Sequence, residues 1–217
     1  MPTGRPSTVA RAPRAHFALA APLAGAVVLV LAVAACAGGG LFASPTPTPR
    51  PDQPCQGAAE QRGPGFYPAL EALVPREIDG VPPTQRDSGR WCSAAKLGIL
   101  MTKDGLKEVH FAGAIWPSTD RTTGVSAVVY AAPGLTTDMV ADSFAVAAGD
   151  ASNVTRVLSD RVTIVGRPGV RLDVTNQDGT QVVVCWPSAM PGTINIVLGS
   201  EVTDRQIQDA IAAFGRR

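Results

Sequence analysis

Apolar residues recur at every second position through the C-terminal half of the chain. Val162 and Ile164 form one such run, followed by Val170, Leu172 and Val174, by Val182, Val184 and Trp186, and by Ile194, Ile196 and Leu198. Their partners are mostly Arg, Asp, Thr, Gln and Asn, and this alternation predicts antiparallel strands with one face towards water. Gly166 to Gly169, Asp178-Gly179 and Pro187 to Gly192 supply the turns, which are too short for parallel crossovers. Upstream, Val109 to Trp116 (VHFAGAIW) and Gly124 to Ala131 (GVSAVVYA) flank the polar loop Pro117 to Thr123 and fit a hairpin.

Between the two sets of strands the period changes. Val140, Phe144 and Ala147 share one face of a helix predicted from Thr136 to Ala148, with Asp138 in its first turn. A second helix is expected from Tyr67 to Val74, entered at Pro68 and stopped by Pro75. A third runs from Ser93 to Lys103, with Ser93 as N-cap and Asp104-Gly105 after it. The last helix has the strongest local signal. Thr203 and Gln206 form a capping box, Val202 and Ile207 a hydrophobic staple, and Ile207, Ile211 and Phe214 one apolar stripe ended by Gly215. The expected architecture is α+β, a single antiparallel sheet of about six strands with two to four helices packed on one face. No fixed-period repeat is visible, although the order strands, helix, strands, helix is compatible with a degenerate duplication.

The first 64 residues follow neither pattern. Arg5, Arg11 and Arg14 stand without any acid, the flank that keeps an N-terminus on the cytoplasmic side, and an unbroken apolar run from Leu23 to Ala35 follows. That run is shorter than the roughly 20 residues of a membrane span. It ends in Val33-Ala34-Ala35-Cys36, which resembles the lipobox of bacterial lipoproteins. The resemblance implies diacylglycerol transfer to the Cys36 thiol, which becomes the mature N-terminus; two acyl chains anchor stably where one does not. The alternative is an uncleaved anchor helix from Phe17 to Cys36. Either places the rest of the chain at the outer face of the cell membrane. Residues 1–36 are thus a signal peptide or anchor, and 37–64 a Gly/Pro/Thr-rich linker. Its Ser44-Pro-Thr-Pro-Thr-Pro-Arg-Pro51 stretch favours extended polyproline, so that residues 37–54 span on the order of 50 Å.

Residues 65–217 read as one globular domain, about 150 residues, large enough to bury roughly two thirds of its surface without metals. With Arg5, Arg11 and Arg14 set aside, 16 of the 19 basic residues remain against 18 acidic ones, which leaves no basic footprint for nucleic acid. Cys55, Cys92 and Cys185 remain beyond the lipobox, an odd number in an oxidising compartment. Cys185 sits in an apolar strand as a small buried residue, whereas an unpaired Cys55 in the polar segment Gln53 to Gln56 would be exposed. A Cys55 to Cys92 bridge is therefore favoured over one from Cys92 to Cys185.

Candidate chemistry is sparse. His110 is the one histidine after the lipobox, so any Ser-His-Asp or Cys-His arrangement must use it. Ser93-Ala94-Ala95-Lys96 matches the S-x-x-K of penicillin-binding proteins, yet K-T-G and S-D-N are missing and an N-cap serine beside a solvated lysine accounts for the pattern. One histidine and scattered cysteines make no zinc site, no Gly-rich loop follows a strand to cradle phosphate, and Asp87-Ser88-Gly89 reads as turn chemistry. No metal and no cofactor are expected.

Phe66 to Pro75, Asp87 to Cys92, Phe111 to Trp116 and Gly166 to Gly169 resemble uncharacterised exported bacterial proteins, a resemblance that implies no activity. The expectation is a membrane-tethered extracytoplasmic module without catalysis. It would bind a protein, a cell-wall component or a small ligand, with Trp91, Trp116, Trp186 and Tyr130 as candidate contacts. A cell-envelope hydrolase using His110, or Ser93 with Lys96, is the alternative.

Overall fold

A computed structural model describes residues 50–57, 61–117 and 123–216. Cys36, where the sequence resembles a lipobox, and the segment that carries it lie outside these residues, as does most of the loop after Trp116. Eight strands form one sheet in which every neighbouring pair is antiparallel. The strands are β1 (Gln61–Gly63), β2 (Gln85–Trp91), β3 (Val109–Pro117), β4 (Gly124–Ala131), β5 (Val154–Ile164), β6 (Arg167–Asn176), β7 (Gly179–Pro187) and β8 (Thr193–Ser200). The helices are α1 (Pro68–Glu71), α2 (Ala94–Leu97), α3 (Ile99–Thr102), α4 (Thr137–Gly149) and α5 (Asp204–Ala213).

Across the sheet the order is β1-β2-β3-β4-β8-β7-β6-β5, two four-stranded meanders joined along a β4–β8 seam. β1 and β2 raise the expected six strands to eight. β1 also begins within the stretch that reads as linker.

Helices cover both faces of the sheet, not one. α4 runs from the centre to the far edge, lying over β7, β6 and β5. Its Val140 and Ala141 join Leu97, Leu100, Phe111, Val128, Tyr130, Leu172, Cys185 and Ile196 in a single cluster. On the opposite face α1 places Leu70 over Ala112, Ala114 and Val129, and α5 places Ile207, Ala210 and Ile211 over Val125, Val184 and Val197. The cause is visible in β4 and β8, whose burial runs on through consecutive residues: Ala127 to Tyr130 in one and Thr193 to Val197 in the other. Strands apolar on both faces need two covers. The α4–α5 arrangement also argues against duplication, since a twofold relating antiparallel β4 to β8 stands normal to the sheet and would put both helices on one face.

Local sequence explains where the helices stop. The helix expected from Ser93 to Lys103 breaks into α2 and α3 at Gly98, whose φ of 52° and ψ of −126° no helical residue adopts. α1 is a single turn, and its C-terminal carbonyls are taken by the Arg86 guanidinium, which donates to Glu71, Val74 and Pro75 oxygens. α5 lies directly on β8 because residue 199 is glycine; a Cβ there would collide with Val202 and Ile207. A disulfide joins Cys55 to Cys92 with the Cα atoms 6.1 Å apart, and Cys185 is a buried free thiol.

Candidate functional site

His110 opens the argument for a site because it is the residue on which acid–base chemistry would depend. It stands near the start of β3, opposite Arg90 on β2 and Ala131 on β4, on the α1 face of the sheet. Two residues earlier Glu108 reaches the same side, and its Oε1 lies 2.8 Å from His110 Nε2. A carboxylate can only accept, so the His110 Nε2–H is the donor of this bond. The Tyr67 ring, brought in at the N-cap of α1, stacks on the imidazole with centroids 4.3 Å apart and planes 18° from parallel. The imidazole side chain is nevertheless 41% exposed.

Buried charge surrounds this stack. Arg90 is only 6% exposed, and each of its nitrogens is used. Nε donates to Gln61 Oε1 at 2.5 Å, Nη1 to the Pro51 carbonyl and to Glu108, and Nη2 to the Arg50 carbonyl, the last three at 3.3 to 3.5 Å. Arg90 also stands 5.7 Å from the Phe66 ring centroid. The Tyr67 hydroxyl is buried without a hydrogen bond among the described residues. Loss of solvent raises its pKa above that of free tyrosine, with the Arg90 charge opposing and the Glu108 carboxylate adding to the rise.

One rung further along, Ser88 shows why this cluster is not a nucleophile–base pair. Its Oγ donates to Glu71 Oε1 at 2.7 Å and accepts from the Tyr67 amide at 2.6 Å, and the residue is fully buried. A buried hydroxyl with its proton given to a carboxylate and one lone pair taken by an amide is out of reach of a substrate carbonyl. The second candidate is no better placed. Ser93 is the N-cap of α2 without a side-chain capping bond, Lys96 is exposed, and among the described residues the two are joined only by the backbone bond from the Lys96 amide to the Ser93 carbonyl, with no side-chain hydrogen bond between them.

The aromatic candidates are packing residues. Trp91 stacks on Phe111 at 4.4 Å and meets Tyr130 edge-on at 5.3 Å. Trp116 donates its indole N–H to the Val81 carbonyl at 2.8 Å, and Trp186 packs edge-on against Phe214 at 5.1 Å. Trp116, Trp186 and Tyr130 are each at least nine-tenths buried. An open cleft of about 220 Å³ lies at the start of α4 beside the β5–β6 turn, but none of the sequence candidates lines it. Its charged pair, Asp138 and Arg161 at 2.6 Å, is exposed and mutually satisfied. No group of three or more His, Cys, Asp or Glu capable of holding a metal occurs among the described residues.

The structure thus brings His110 together with Glu108, Tyr67 and Arg90, and keeps Ser93 and Lys96 apart from them. Sequence reading missed Glu108 and Arg90. The i, i+2 spacing of Glu108 and His110 at the start of a strand was the one available signal, because such residues share a face. Within the cluster Arg90 holds the Arg50 and Pro51 carbonyls against β2, next to the covalent tie from Cys55 to Cys92. No protein-family model and no curated protein matches the chain.

Proposed function

We propose that this chain is a non-catalytic extracytoplasmic binding module, held at the outer face of a bacterial cytoplasmic membrane through Cys36 and engaging a protein or cell-wall partner. The observation that carries the reading is the double fastening of residues 50–55. Cys55 is bonded to Cys92, and the Arg90 guanidinium holds the two preceding backbone carbonyls. Such a bond persists in an oxidising compartment. Securing the root of an N-terminal tether suits a domain that hangs from one. The absence of a spanning helix among the described residues leaves the lipid on Cys36, or the segment before it, to do the anchoring.

The hydrolase alternative has one feature in its favour, the solvent-open Glu108–His110 pair. Against it stand the sealed Ser88 hydroxyl and the lack, among the described residues, of a side-chain hydrogen bond between Ser93 and Lys96. Expression of the full chain in its bacterial host, with and without globomycin, tests the anchor. Signal-peptidase processing should be blocked by the drug, and Cys36→Ser should release the protein from washed membranes. Processing and membrane retention unchanged by Cys36→Ser would overturn it.

A further inference from the structure

The two ends of the sheet are built differently. β1 is three residues long and has the Cys55–Cys92 tie beside it. β5 at the opposite end has eleven residues and, among the described residues, no strand on its outer side. A long edge offers a row of unpaired amides and carbonyls to another strand, and charged side chains usually guard it. Here the charges are arranged in a particular way. From Arg156 to Ile164 the pairing of β5 with β6 is regular, so Arg156, Leu158 and Asp160 project from one face. Leu158 is 40% exposed. Neither Arg156 nor Asp160 makes an ion pair among the described residues. Asp160 lies opposite Arg171 on β6, but that guanidinium is turned to Asp173 and Asp204, each at 2.8 Å.

We propose that two copies of the chain associate through β5, antiparallel and edge to edge, with Leu158 on the twofold axis. In that register the two Leu158 side chains face each other, and Arg156 of each copy stands directly opposite Asp160 of the other, close enough for an ion pair. Other registers are poorer. Centring on Ser159 sets Leu158 against Asp160, and centring on Asp160 brings two carboxylates face to face. Opposed Arg156 and Asp160 therefore select the partner, a second copy of this chain, as well as its alignment. The tether root lies at the other edge of the sheet and leaves β5 free. A single strand edge buries less than the roughly 1,200 Å² of a standard interface, so the pair is weak at low concentration and gains from confinement to a surface.

Sedimentation of the purified full chain in detergent, over a concentration series, reads the association directly. A dimer is expected. Asp160→Arg should weaken it by about tenfold by placing like charges opposite one another at both ends of the pair. Adding Arg156→Asp to that variant should restore it, which a merely structural role for either residue would not do. Oxidative cross-linking in membranes supplies a second readout that does not depend on the charge variants folding. Leu158→Cys should yield a disulfide-linked dimer, and Thr163→Cys, exposed on the same strand but far from the axis, should not. A monomer at every concentration, a dimer indifferent to Asp160→Arg, or equal cross-linking at both cysteines would each overturn the proposal.

Discussion

Cys185 is the residue whose surroundings most change its chemistry. It sits on β7 between Val170 and Ile196, fully buried, with the Val170 carbonyl as its hydrogen-bond partner, and burial pushes its thiol up to about 12. A cysteine reacts as thiolate, so Ellman's reagent at pH 8 should leave Cys185 untouched until the chain is unfolded. The same shift fixes a pH dependence. The folded state keeps the proton while the unfolded thiol loses it, so the contribution is whole below about pH 9 and declines as pH rises towards 12, by about 1.4 kcal/mol per unit. Burial moves Tyr130 in the same direction. Urea unfolding at pH 8 and pH 11 should show stability falling, and Cys185→Ala should make the fall shallower by about 2 kcal/mol. That Cys185 is buried was legible, because Val182 to Trp186 is apolar on both sides of it. The environment of His110 was legible only as far as Glu108; Tyr67 and Arg90 arrive from other elements, and no local pattern announces them.

Elements whose signals are local came out as the sequence states them. In α5 the Thr203 hydroxyl accepts from the Gln206 amide and the Gln206 side chain accepts from the Thr203 amide, so both halves of the capping box are made. Thr203→Ala should lower stability by about 1 kcal/mol, measured as a displaced denaturation midpoint with unchanged slope. β2 shows the opposite case. Its sequence, QRDSGRW, has turn residues where a strand would carry Val or Ile, and yet Asp87 to Arg90 are buried. The strand is stabilised by partners supplied from elsewhere: Glu71 and the Tyr67 amide for Ser88, Gln61 for Arg90, and carbonyls at the end of α1 for Arg86. A polar strand with its partners distributed over α1, β1 and the Arg50-Pro51 backbone cannot be told from a loop by periodicity. The helix expected from Ser93 failed for a different reason. Gly98 falls in its middle, and a residue without Cβ lets the chain turn where side-chain spacing alone favours continuation.

For the whole molecule, the Cys55–Cys92 bond closes a loop that contains α1, β1 and β2. Loop-closure entropy gives it about 4 kcal/mol, so Cys55→Ser with Cys92→Ser should show that loss on unfolding, with earlier proteolysis within residues 50–57. The antiparallel α+β class was legible in the alternation and the short turns. That helices cover both faces was not read, although the unbroken apolar runs in β4 and β8 carry that information. The β4–β8 seam has a consequence for a chain made from its N-terminus. β8 is the last strand to emerge yet stands in the middle of the sheet, so the first meander must wait with the β4 edge open until nearly the whole domain has been delivered. Long-range pairing of this kind is slow and leaves an unpaired edge exposed to other chains in the meantime. A product cut short before β8 would therefore lose the centre of the sheet, leaving two separate four- and three-stranded pieces that each end in an apolar strand.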